Sequence, residues 1–119
     1  MESNLNKLIR ITEDSYFKGS YSGLVDLELK GNFEGYLNVR SLYIKKSGNF
    51  VGYVSANNIV VEGKINADIQ TENLHLRSFG IVEGEITYRN IIIDYGGVLK
   101  SSLVQNMSSL NNLMRLNKS

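Results

Sequence analysis

Apolar residues recur along this chain in two short alternating runs, and the pair of runs repeats. The motif G-x-Φ-x-G/A/S, with Φ apolar, occurs at Gly31-Phe33-Gly35, Gly48-Phe50-Gly52, Gly63-Ile65-Ala67, Gly80-Val82-Gly84 and Gly97-Leu99-Ser101, with leading glycines 17, 15, 17 and 17 residues apart. An earlier copy reads as Gly19-Tyr21-Gly23, only 12 residues before Gly31, which predicts a shortened first unit. Counted from each leading glycine, position 6 is apolar throughout (Leu37, Val54, Ile69, Ile86, Leu103), and positions 11 and 13 form the pairs Leu42/Ile44, Ile59/Val61, Leu74/Leu76 and Ile91/Ile93. Period-2 alternation twice per unit, with a polar corner between, predicts two strands per repeat.

Such a unit is too short for a strand-helix-strand crossover. An antiparallel meander would not stack equivalent positions on one another, whereas the outward columns behave as if stacked. Position 14 reads Lys45, Glu62, Arg77, Asp94, alternating in sign, so parallel stacking at about 4.8 Å sets each charge beside an opposite one. Position 10 reads Ser41, Asn58, Asn73, Asn90; asparagine tolerates corner conformations and its amide can bond to its copy in the next coil. A solenoid accounts for these columns together, since each coil buries its inward face only against its neighbours. The expected core is Phe33, Leu37, Phe50, Val54, Ile65, Ile69, Val82 and Ile86 with the paired positions 11 and 13. Parallel crossovers are almost always right-handed, so the fold class expected is all-β, a right-handed parallel β-helix of about six coils over residues 16–104.

The flanks depart from the pattern. Residues 1–15 carry Leu5, Leu8 and Ile9 at loosely helical spacing and read as a flexible or weakly amphipathic tail, with weak peripheral membrane contact as the alternative. In residues 105–119, Met107, Leu110, Leu113 and Met114 fit a helical stripe, a tail or short helix capping the open end. Eleven glycines and no proline suit a continuous ladder, because proline would remove donors. With no cysteine, disulfides and thiolate chemistry are excluded. Thirteen basic against twelve acidic residues leave a formal charge of +1, no footprint for nucleic acid. The charged N-terminal stretch is unlike a signal peptide and no apolar run is long enough to span a bilayer, so a cytoplasmic location is expected.

Candidate chemistry is sparse. The single histidine, His75, falls in the outward column Tyr43, Val60, His75, Ile92 and reads as a surface residue. Glu83 and Glu85 flank Gly84 on one outer face, beside the column Tyr36, Tyr53, Asp68, Glu85, but a flat wall gives carboxylates no pocket to shift their pKa. No phosphate-loop, histidine metal or calcium-repeat motif is present. The expectation is therefore no catalytic residue, no metal and no cofactor; a hexapeptide-repeat acyltransferase would need a different period.

The coils, above all VSANNIVVEGKINADI and GIVEGEITYRNIIIDYGGVLKSSL, resemble the bactofilin family over about residues 16–104. That resemblance implies a structural scaffold polymerising end to end without nucleotide, supporting cell shape or envelope organisation, with itself as principal partner, cell-wall or envelope proteins as further partners, and a place at the inner face of the cell membrane. The apolar groups expected at the terminal coils are Tyr16, Phe17, Tyr21, Val25, Leu27 and Leu29 at one end and Val98, Leu99, Leu103 and Val104 at the other. The competing reading is a non-polymerising β-helix that holds a protein or glycan partner on its outer Tyr/Val/Ile columns.

Overall fold

The computed structural model describes residues 7–105. Nine strands form one sheet wound into a solenoid of about six turns: β1 (Leu8–Ile11), β2 (Tyr16–Ser22), β3 (Asp26–Leu29), β4 (Asn32–Ile44), β5 (Asn49–Val61), β6 (Lys64–Leu76), β7 (Ile81–Tyr88), β8 (Asn90–Ile93) and β9 (Val98–Gln105). Every pairing is parallel, and none of the described residues is helical. The three long strands β4, β5 and β6 each run round a corner and so serve two walls of the coil.

The register is the one the repeat predicts. Phe33 pairs with Phe50 and Phe50 with Ile65; Leu42 pairs with Ile59 and Ile59 with Leu74. Identical positions therefore stack, and the inward ones make a single continuous core of Phe33, Leu37, Leu42, Ile44 and their equivalents. Stacking brings like rings together: Phe17, Phe33 and Phe50 form a column with centroids 4.7 and 5.2 Å apart, while outside, Tyr36 and Tyr53 lie 5.1 Å apart and 4° from parallel.

Glycine is required at position 4 because of how closely the coils approach. Gly35 and Gly52 hold φ of 137° and 135°. A Cβ on Gly52 would press into the carbonyl oxygen of Gly35 and lie 2.9 Å from its carbonyl carbon. Only a residue without a side chain combines that φ with that approach.

The polar columns behave as expected. The Asn73 amide donates to Asn58 Oδ1 at 3.0 Å and the Asn90 amide to Asn73 Oδ1 at 2.9 Å. Lys45 meets Glu62 at 3.8 Å, Arg77 meets Glu62 at 3.6 Å, and Arg77 meets Asp94 at 3.3 Å. The chain of charges extends further than the repeat suggests, through Lys45 to Glu28 at 4.0 Å and Glu28 to Arg10 at 2.8 Å.

Four expectations need correction. Residues 8–11, expected within a tail, are strand β1, which pairs with β3 in the register Leu8↔Asp26 to Ile11↔Leu29. The spacing that looks loosely helical hides a period-2 pair, Ile9 and Ile11, that sits over Leu27 and Leu29. The first full coil is not shortened to 12 residues, because Gly19 pairs with Gly35 rather than Gly31. Gly19 is thus the position-4 glycine, and Ser15 stands where later coils have their leading glycine. The core also has a further inward position, 8, beyond those the repeat discloses; it holds Val39, Ala56 and Thr71, and its mixed polarity conceals it. Lastly, Ile93, expected in the core, is 45% exposed, since β8 pairs only with β6 among the described residues. Leu5 and the stripe Met107, Leu110, Leu113, Met114 lie outside the described residues.

Candidate polymerisation interface

A solenoid closes its sides but not its ends. At the N-terminal end, β1 pairs only with β3 and β2 only with β4; at the other, β8 pairs only with β6 and β9 only with β7. Each of these four strands has one edge without a ladder partner among the described residues, and an open edge is a template for further pairing.

The residues expected at these ends divide into three groups. Phe17, Tyr21, Leu99 and Leu103 hold the inward positions 2 and 6 of terminal strands. Leu99 and Leu103 pair with Val82 and Ile86, which are fully buried, yet Leu103 itself is 44% exposed because no coil covers it in the described chain. Phe17 stacks on Phe33 with its other face open. Tyr16, Val98 and Val104 are exposed as well, but at positions 1 and 7, where alternation turns them to the outer wall rather than along the axis. Tyr16 is held there by a hydrogen bond from its hydroxyl to Glu34, which raises its pKa above the usual phenol value of 10.0.

Val25, Leu27 and Leu29 do not reach the end surface. They are buried, Leu29 completely, because β1 covers them. The groups that take their place are Leu8, Ile9 and Ile11 of β1, and Ile91 and Ile93 of β8 do the same at the opposite end. The pair Ile9/Ile11, 18 residues before Leu27/Leu29, is the signal for this in the sequence.

His75 joins no catalytic constellation. Its Nε2 lies 2.9 Å from Asp94 Oδ1, so it belongs to the ladder of charges rather than standing alone on the surface. That hydrogen bond, followed by the positive charge beside it, holds the Asp94 carboxyl below the usual carboxylate value. Glu83 and Glu85 line shallow hollows on the outer wall and share no enclosed pocket. Among the described residues no group of three or more His, Asp or Glu side chains is placed to hold a metal, and no helix is long and apolar enough to cross a membrane.

No curated protein matches the chain. The chain is similar to a solved structure, the cytoskeletal bactofilin BacA determined by solid-state NMR, with a TM-score of 0.76 and 22% identity over 86% of this chain and 97% of that one. At that identity the likeness establishes the fold. The bactofilin family model, described as polymer-forming cytoskeletal, matches residues 9–104. That span begins in β1 and ends in β9, taking in every coil between the two open ends, and so the chain belongs to the bactofilins, a structural family of polymer-forming cytoskeletal proteins and not of enzymes.

Proposed function

We propose that this bactofilin assembles end to end into filaments through its terminal coils, without nucleotide, and that the filaments form a cytoplasmic scaffold for cell shape or envelope organisation. The observation that carries this reading is the pair of open ends, each presenting unpaired strand edges and half-exposed apolar side chains of inward register: Phe17, Tyr21, Ile9 and Ile11 at one, Leu99, Leu103, Ile91 and Ile93 at the other. Docking of such ends buries apolar area at about 25 cal/mol per Å² and completes ladder hydrogen bonds that water otherwise satisfies. No bond need be made or broken, so the assembly requires no fuel. Envelope or cell-wall proteins are the expected further partners, with the inner face of the cell membrane as the expected site of action.

The reading is tested with the purified chain in nucleotide-free buffer. Filaments by negative-stain electron microscopy and a concentration-dependent pellet on high-speed centrifugation are expected; a chain that stays monomeric at high concentration overturns it.

A further inference from the structure

End-to-end assembly leaves two features on the side of the solenoid without a role. Phe79 and Tyr95, on successive corners, are 81% and 99% exposed. Phe79 adopts φ 68°, the single positive φ outside glycine among the described residues. In the next coil the same place is held by Gly96 at φ 93°, and the Phe79 N–H donates to the Gly96 carbonyl at 3.1 Å. The backbone of this corner therefore suits glycine, and a bulky residue at positive φ is strained. Strain persists where a side chain must be held in place, and here it holds an aromatic ring out into solvent. Lys64 and Lys100 follow the same edge and have no ion-pair partner among the described residues.

The second feature is a hollow of about 280 Å³ on the outer wall, lined by Tyr53, Asp68, Ile69, Gln70, Glu85 and Thr87. Asp68 and Glu85 sit in one column in successive coils, also with no cationic partner among the described residues. Like charges side by side on a sheet destabilise it, and a cation brought from outside would relieve this.

We propose that the Phe79/Tyr95 edge of one copy docks laterally into this hollow on a second copy, with Lys64 and Lys100 meeting Asp68 and Glu85. The aromatic knob fills the space beside the Tyr53 ring, and the charges fix the orientation. The contact is heterologous, so it does not close on itself and can continue from copy to copy. It goes beyond end-to-end assembly, and a filament would multiply it along its length, turning a weak contact per subunit into a bundle.

The absence of cysteine makes the test direct. A chain carrying Ser78→Cys and Gln70→Cys is oxidised, run on a non-reducing gel, and imaged in parallel. A ladder of cross-linked multimers is expected in the double variant, little in either single variant, and at least a tenfold loss on adding Phe79→Gly, with no lowering of the melting temperature by that last change. Filaments without a cross-link, or a cross-link indifferent to Phe79→Gly, would overturn the lateral contact. A cross-link without filaments would support it and remove the end-to-end reading, since both engineered positions lie far from the terminal coils; neither signal would overturn both.

Discussion

Replacing Gly52 by alanine adds one methyl group at the place where the coils approach most closely. Two costs arise. The native φ of 135° lies in a region that side chains disfavour by roughly 1–2 kcal/mol. The new Cβ also lies 2.9 Å from the Gly35 carbonyl carbon and closer still to its oxygen, backbone atoms tied into the neighbouring strand. Forcing such atoms apart costs about 1–3 kcal/mol, as overpacking does in cores. Against this, alanine restricts the unfolded chain, which returns about 0.4–1 kcal/mol. The net expectation is a loss of about 2–4 kcal/mol, or a melting temperature lower by about 8 °C or more for a domain of this size. Gly96→Ala is the control, because its φ of 93° is also positive while the added Cβ would meet nothing nearer than 3.8 Å; it should cost about 1 kcal/mol. Urea and thermal unfolding followed by circular dichroism, in a Leu103→Arg background so that assembly does not add to apparent stability, provide the comparison. If Gly52→Ala unfolds no more easily than Gly96→Ala, close approach of the coils is not what demands the glycine.

Other substitutions probe the rest of the structure. Ile69→Ala, in the buried centre, should leave a cavity and cost about 2–5 kcal/mol by urea denaturation. His75→Ala removes one half-exposed contact to Asp94 and should cost less than about 1 kcal/mol, with filaments unchanged by microscopy; a large loss of stability would mean the histidine does more than join the charge ladder. Asp94 has a folded pKa below its ordinary value of 3.8, so its contribution to stability is present above that value and disappears as the pH falls through the folded pKa. Acid unfolding curves of wild type and Asp94→Asn should therefore differ at neutral pH and converge at the acid end; a gap that widens on acidification contradicts the assignment.

The walls of the solenoid are legible in the chain because stacking repeats a position, and repetition is visible in one sequence. The alternating column Lys45, Glu62, Arg77, Asp94 is enough to disclose parallel register, and the ion pairs follow it. Where a coil deviates, the signal fails for a physical reason. Gly19 aligns with the wrong glycine because Ser15 fills the leading position of that coil, and a serine there carries no turn signal as strong as glycine's. Position 8 is hidden because Val39, Ala56 and Thr71 share burial but not hydropathy. The ends are least legible. Whether Leu27 and Leu29 are covered depends on a four-residue strand, β1, too short to show a period of its own. For the same reason the terminal residues depart most from expectation, with Ile9, Ile11, Ile91 and Ile93 entering and Val25, Leu27 and Leu29 leaving.

The central claim is that these open ends dock on one another. Its most direct measurement is sedimentation with electron microscopy of wild type and Leu103→Arg side by side, without nucleotide. Leu103 continues the column of buried Val54, Ile69 and Ile86 and is itself half-exposed at the C-terminal coil. A guanidinium there leaves the monomer intact, since its head can reach solvent, but becomes an unpaired charge once the end is covered, a desolvation cost of several kcal/mol. Wild type should form filaments, and Leu103→Arg should remain β-rich by circular dichroism while staying in the supernatant. Filaments formed equally well by Leu103→Arg would move the contact away from the C-terminal coil, and a wild type that never polymerises would contradict the account.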